Sequence, residues 1–579
     1  MKKFALIVFI LFLPIASACK DIIVTNDATA GDYTLFMKVR DPSRPGLQIL
    51  CMIEKGYEYT YHHPWKRYNI PYIVKHKLIG VATQGDTPPS VLKAGMLLSD
   101  AGIAYGDADC PTFYINPTKN AWDDFDWLRY AAQNASSEEE AVEKLEEVVK
   151  MHAPGIGENL FVVGKNKAYV IEADAFHFVK DEVDGITVMS NYPKQLWHSR
   201  LLKRIAFASD FDRVYEGDVR KWQTIRLGGF YGVKITKVGN DFIEAKQIPA
   251  GEKIEIDRGK GGKVGNFYIE LEDCNGKTAR VKMCYEYYAW EKKIEDMLNE
   301  KYGRITVMDL MNISRLHSED LDGLRGICEG EKKAAMIFKI PENEKLAMGW
   351  FAPDQCVSIF VPVHICDKDI YEPYKNGEAA QLALNLLMQF GHSKVNFRNV
   401  ERVFIRENEK MEEIALKRID KAGEIMTVVD TEMQKQAILM QKLWMNIGNE
   451  EKSIVREMWN ESYYITLKNI EKNIKRLSDD SAEVMASIAL SIAKIRVDVE
   501  SCVNGSNLHE KYNTARNYIE RGEYNNGLKV IKEIFEKTDE SLFGIEHKKE
   551  GGMNERAILI SSLIVFIAII VVLLRKPRK

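Results

Sequence analysis

The period of hydrophobic and polar positions changes repeatedly along this chain, and each change marks an element. Lys2 and Lys3 precede an unbroken apolar run from Phe4 to Leu13, followed by the small residues Ala16-Ser17-Ala18. That order predicts a secretory signal peptide over residues 1–18, cut after Ala18. Ile22-Ile23-Val24 predicts a short buried strand, turn residues fill 26–32, and Tyr33–Arg40 predicts a second strand. Period-two alternation places Thr34, Phe36, Lys38 and Arg40 on one face and Tyr33, Leu35, Met37 and Val39 on the other. Residues 79–86 read as a strand running into a polar turn. Helices are predicted over 127–133 and 138–150. Ser137 and Glu140 form a capping box for the second, whose apolar face holds Ala141, Val142, Leu145, Val148 and Val149. Residues 160–163 and 168–172 then predict a hairpin.

From Val214 to Tyr285 short alternating runs are separated by Gly-rich turns, which reads as a β-rich insertion. Residues 290–316 read as helical. From Gly377 to Phe543 Leu, Ile, Met and Val recur at helical spacing in charged segments. This predicts antiparallel helices or a coiled stalk, with the methionines as core and a surface for self-association. Ala557–Leu574 is apolar apart from Ser561 and Ser562, and Arg575-Lys576-Pro577-Arg578-Lys579 follows. At about 1.5 Å per residue the run reaches roughly 27 Å, enough for one transmembrane helix with a cytoplasmic C-terminus. With the signal peptide in front, the expectation is a single-pass cell-membrane protein whose chain from Cys19 to about Arg556 lies outside the cell.

Composition adds limits. A chain of 579 residues is too long for one compact core, so two or more domains are expected. Hydrophobic content of 46% and charged content of 28% are ordinary for a folded protein, and a net charge of −4 without a basic stripe argues against nucleic-acid binding. The 9 cysteines include no C-x-x-C pair, so a zinc site of the usual spacing is not expected. If Cys19 is set aside as a nucleophile, an even number remains, which permits disulfides outside the cell. Cys274 and Cys284, flanking a turn at Asn275-Gly276, are the one local pair suggested. Asn134, Asn312, Asn460 and Asn504 head glycosylation sequons, whereas Pro117 excludes Asn116. His62, His63 and His152 read as ordinary loop histidines.

Candidate chemistry gathers at Cys19. Cleavage after Ala18 would leave a thiol and a free α-amine on one residue. The amine, with a pKa near ~7.7–8.0, can take the thiol proton and leave a nucleophilic thiolate. A lipid-blocked Cys19 is the competing use of such a site, although Ala16 stands where lipoboxes favour Leu.

The run Gly31-Asp32-Tyr33-Thr34-Leu35-Phe36-Met37-Lys38-Val39-Arg40-Asp41 resembles the "DG-x-x-L-F-G-K-N-R-D" segment of N-terminal nucleophile (Ntn) hydrolases. The branch it resembles includes dipeptidases, choloylglycine hydrolases and penicillin acyltransferases. Residues 95–109 are similar to that family's "G-M-N-E-x-G-L-A-x-G-N-A" turn, residues 160–172 to its "N-F-L-V-x-D…A-x-V-I-E" hairpin, and Ser190-Asn191-Tyr192-Pro193 to its "L-T-N-N-P" stretch. Ser199-Arg200 resembles the "S-x-R-x-x-R" segment, and Asp354-Gln355-Cys356 stands at the usual "P-C" position. The resemblance covers about Cys19 to Cys366, with the insertion as its gap.

The resemblance implies an α+β fold, a four-layer αββα Ntn-hydrolase sandwich with a β-rich insertion, and the hydropathy pattern adds the helical region and one C-terminal transmembrane helix after it. Together these readings divide the chain into core segments 19–213 and 287–370, the insertion 214–286, a helical stalk or bundle 371–547, the membrane helix 557–574 and a tail 575–579, and the site residues follow from the resemblance. It implies Cys19 as nucleophile, Lys38 or Arg40 beside the thiolate, Asp41 holding the Cys19 amine, and Asn191 as oxyanion donor. Arg200 would be a structural or active-site cation. Val39 departs from the family's Asn, and Ser99 replaces an oxyanion-hole Asn, leaving a hydroxyl or backbone N–H there. The activity implied is cleavage or acyl transfer of a linear amide, such as an acyl-amino acid or small peptide, without metal or organic cofactor. A binding or scaffolding module that has lost turnover is the alternative.

Overall fold

The computed structural model describes residues 19–40, 46–86, 90–329, 333–392, 395 and 397–547. A six-stranded antiparallel sheet runs in the order Ile186–Met189, Lys20–Val24 (β1), Tyr33–Arg40 (β2), Ala334–Pro341, Met348–Ala352 and Val361–His364. A seven-stranded sheet faces it in the order Phe178–Glu182, Ala168–Ala173, Gly157–Val163, Ile103–Cys110, Met96–Ser99, Leu78–Thr83 and Gln48–Ile53. Phe36 of β2 locks the two together, with its ring 5.6 Å from Phe161 across the interface and 5.8 Å from Phe338 beside it. Gly106 makes that approach feasible, because a Cβ there would fall 2.6 Å from Phe36 Cζ.

Helices Asp124–Ala132 and Glu138–Lys150 cover the outer face of the seven-stranded sheet, and Glu286–Asn299 and Val307–Ser314 that of the six-stranded one. Ser137 Oγ accepts from Glu140 N at 3.1 Å, but Glu140 Oε2 accepts from Ser136 N rather than from the cap residue, so the box is half formed. Between Val214 and Tyr285 two four-stranded sheets build the insertion around its own core of Val219, Ile235, Ile269 and Val281. Its strands Phe267–Cys274 and Thr278–Tyr285 turn at Asn275-Gly276, with Gly276 at φ +77°. This corrects the suggested Cys274–Cys284 pair. Cys274 faces Ala279 and Cys284 faces Tyr268, so the two thiols stand about 17 Å apart along the hairpin, beyond disulfide reach.

From Glu372 to Phe543 the described elements are all helices, and they wrap the sandwich. Arg398–Lys417 and Ala422–Asn446 pack on the edge strand Val361–His364, Asp479–Asn504 packs on Ala422–Asn446, and Tyr524–Phe543 on Asp479–Asn504. A buried staple fixes the first contact. His364 Nδ1 lies 2.7 Å from Asp430 Oδ2 and its Nε2 3.2 Å from Glu412 Oε1, while Lys339 Nζ lies 2.6 Å from Glu412 Oε2. Burial alone would lower the His364 pKa, but the two carboxylates carry it up to about 10. Burial works against the Glu412 charge, yet Lys339 and His364 hold its pKa down to about 2.

The expected fold class is corrected at its C-terminal end. Among the described residues no helix is long and apolar enough to cross a membrane. The run 557–574, the tail 575–579, the leader 1–18 and Asp41 lie outside the described residues.

Candidate active site

Cys19 immediately precedes β1, half-buried. Lys20 pairs with Val39 of β2, and Asp21 pairs with Met189 of the strand on the other side. Continuing both registers sets Cys19 opposite Arg40 and Asn191. Residues directly opposite in antiparallel strands share a sheet face, so these three form one row, with Asp21 and Lys38 in the row below. Phe36 points between the sheets, and alternation sends Lys38 and Arg40 to the same side.

That placement forces charge into the interior. The Lys38 side chain is fully buried, with Nζ 3.2 Å from Asp107 Oδ1 and 3.6 Å from Asp21 Oδ1, and it donates to the Asp107 carbonyl. Burial pulls the Lys38 pKa down, but Asp107 and Asp21 overcome it and hold the ammonium firmly protonated. Asp21 is pushed by burial up to about 8 in spite of Lys38. The Cys19 thiol is pushed by burial up to about 12; Lys38 opposes the rise, and Asp107, Asp21 and Asp109 add to it. In the unprocessed chain the thiol is therefore protonated at neutral pH. Arg40 Nη1 donates to Gln48 Oε1 at 2.7 Å, and its guanidinium stands 4.8 Å from the centre of the Phe125 ring. Gly95 leaves room for this path, since a Cβ there would meet Phe125 at 3.0 Å, Asp107 Oδ1 at 3.2 Å and Arg40 Nε at 3.5 Å.

A carboxyl cluster completes the floor. Asp107, Asp109 and Glu158 place oxygens within 4.8 Å of one another, and Asp124 opens the helix beside them. Burial, then the neighbouring carboxylates, raises Asp124 and Glu158 well above the ordinary range, and Asp109 is raised for the same reasons. Burial and mutual crowding thus favour the protonated form of these carboxyls. Asn191 Nδ2 donates to the Asp109 carbonyl at 2.9 Å. Its loop is fixed by Asn159 Nδ2, which donates to the Ser190 carbonyl at 2.7 Å and to that of Tyr192 at 3.1 Å.

The structure thus gathers Cys19, Lys38, Arg40 and Asn191. Arg200 lies further along, where its Nη1 donates to Asp174 Oδ2 at 2.8 Å and its charge opposes the rise that burial imposes on the Cys110 thiol. Ser99 is set apart from this group. It is fully buried, facing Ile103 about 14 Å along the strand from Asp107, and its Oγ lies 3.4 Å from the Ile103 carbonyl. Gly95, opposite Asp107 at the other end of that short strand, stands nearer the site. Sequence reading passed over Asp21, Asp107, Asp109, Asp124 and Glu158. The available signal was charge inside strands whose other positions are apolar.

No family model matches the chain, and no curated protein matches it. Among solved structures it is similar to a cysteine-to-alanine mutant of conjugated bile acid hydrolase from Clostridium perfringens, at 12% identity and a TM-score of 0.32, over 60% of this chain and 92% of that one. An arginine-to-leucine variant of the same hydrolase gives 10% identity and a TM-score of 0.32 over the same shares. Penicillin V acylase from Agrobacterium tumefaciens gives 13% and 0.23, over 41% of this chain and 86% of that one. Likeness this distant carries no argument about activity, which rests on the site itself.

Proposed function

We propose that this protein is an N-terminal-cysteine amidohydrolase that acts on a linear amide once residues 1–18 are removed. The observation that supports the reading is the placement of Cys19 at the head of β1, in one row with Arg40 and Asn191 and next to the row in which Lys38 is buried between two carboxylates. Removal of the leader gives Cys19 an α-amine with a pKa near ~7.7–8.0, able to accept the proton that the buried thiol otherwise keeps. The sulfur then attacks the amide carbonyl carbon, forming a C–S bond as the carbonyl oxygen becomes an oxyanion. Asn191 Nδ2, which keeps one N–H beyond its bond to Asp109, and backbone N–H groups stabilise that oxygen. Collapse breaks the C–N bond, the α-ammonium returns its proton to the leaving amine, and water hydrolyses the thioester to regenerate Cys19. Lys38 acts as a fixed positive charge next to the sulfur, since its proton is held too tightly to be given up.

The test compares chains beginning at Cys19 and chains retaining the leader, against a panel of N-acyl-amino acids and dipeptides. Cleavage by the former only, abolished in Cys19→Ala with an unchanged melting curve, is expected. Equal rates in the two forms, or turnover that survives Cys19→Ala, would overturn the mechanism.

A further inference from the structure

Beside the strands Ala334–Pro341 and Met348–Ala352 of the sheet that holds β1, a second group of reactive side chains converges from four separate elements and loops. His317 follows the helix Val307–Ser314, Cys328 ends the next loop, Cys356 lies in the turn after strand Met348–Ala352, and His392 follows the helix Glu378–Phe390. The donor atoms of all four lie within 4.8 Å of one another. Cys356 Sγ and His317 Nε2 stand 3.4 Å apart. A tetrahedral ion with bonds of about 2.0–2.3 Å has edges of roughly 3.3–3.8 Å, so that pair already spans one edge. The others close with side-chain adjustments of about 1 Å.

We propose that His317, Cys328, Cys356 and His392 form a tetrahedral site for a divalent transition ion, zinc by the chemistry of the donors. Two thiolates and two imidazoles suit zinc, whereas oxygen-seeking magnesium or calcium finds no carboxylate among the four. Two of the donors are rigidly presented. The Leu316 carbonyl accepts from Ile327 N at 2.8 Å and from Cys328 N at 3.0 Å, which ties Cys328 to the backbone beside His317. Gly326 permits that approach, because a Cβ there would fall 2.9 Å from His317 Cα. Cys356 N donates to Asp354 Oδ1 at 2.9 Å, fixing its turn. Both thiols are buried, and His317 and Cys356 border a cavity of about 340 Å³ that offers an entry path.

Charge closes as well. Loading releases one proton from each thiol to solvent, while the imidazoles bind neutral, so ion and thiolates cancel. The buried Lys333, 3.5 Å from His392 Nδ1 and 4.0 Å from Asp354 Oδ2, then stands beside the thiolates as a complementary cation balanced by Asp354. Four protein ligands saturate the ion, so its role is structural: it pins the exposed His392, just past the helix Glu378–Phe390, to the sandwich. The site does not depend on Cys19 chemistry.

The test uses the full chain purified under reducing conditions. Elemental analysis is expected to give close to one zinc per chain, and cobalt substitution to give the thiolate-to-metal charge-transfer band and intense visible bands of a tetrahedral sulfur-ligated ion. Cys356→Ser and His392→Ala should each weaken cobalt binding at least tenfold, the second at an exposed position that leaves folding intact. Cys19→Ser should keep the full spectrum. Reduced protein that takes up neither ion while its thiols still react with alkylating agents would overturn the proposal. So would a Cys328–Cys356 disulfide found by peptide mass mapping of protein isolated without reductant.

Discussion

At Lys38 a single strand position sets the electrostatics of the candidate active site. Its ammonium, buried between Asp21 and Asp107, favours the Cys19 thiolate, whereas burial and the surrounding carboxylates oppose it. Lys38→Met removes the cation and leaves its carboxyl partners buried without it. The expected cost is about 3–5 kcal/mol by urea unfolding, together with slower alkylation of Cys19 by iodoacetamide. Asp21 gives the pH signature of the same pair. Its carboxyl releases its proton near 3.9 when unfolded and near about 8 when folded, so between these values the native state binds the extra proton. Stability is therefore expected to fall as pH rises through that window, and Asp21→Asn to flatten the slope measured by thermal melts across pH. Cys19 was legible in the sequence because a leader and a small-residue cut site single it out. Lys38, Arg40 and Asn191 were legible because strand alternation and local motif order mark them. Asp107, Asp109 and Glu158 were not, since what makes them matter is the approach of strands far apart in the chain.

At the scale of elements, the strand Val361–His364 shows how a polar residue can organise packing. His364 joins Asp430 and Glu412 from two different helices, and Glu412 also holds Lys339 of the strand Ala334–Pro341, two along in the sheet. A histidine whose folded pKa is raised to about 10 contributes stability that is fully present below about 6.5 and lost as pH rises towards 10. Glu412, lowered to about 2, contributes stability present above about 4.3 and lost as pH falls towards 2. Glu412→Gln is expected to lower stability by about 3 kcal/mol and to make the acid limb of the profile shallower, read by chemical denaturation from pH 2 to 10. The helices themselves were readable from period and capping. Their docking was not, because a charged face meeting a buried histidine looks the same in sequence as a charged face meeting water.

Across the whole molecule, one hydrophobic core runs from Ile22 in β1 to Phe535 in the final described helix. The helical region is thus a layer of the same folded body. A chain cut after Asn376 would expose the outer side of the six-stranded sheet near Trp350, Pro362 and His364, all buried in the intact protein. Such a fragment is expected to show no cooperative melt, whereas the chain from Cys19 to His547 should melt as a unit; calorimetry of the two distinguishes them.

Local order along the chain determined the strands, the helices, the β-rich character of the insertion and the candidacy of Cys19, because periodicity, caps and cut sites are properties of neighbouring residues. Tertiary structure alone decided which charges face the thiol, that Ser99 stands apart from it, and that the helices wrap the sandwich. It also decided that Cys274 and Cys284 are too far apart to bond and that His317, Cys328, Cys356 and His392 meet. Each of these depends on register and on the approach of segments tens or hundreds of residues apart, and no spacing within the sequence records such distances.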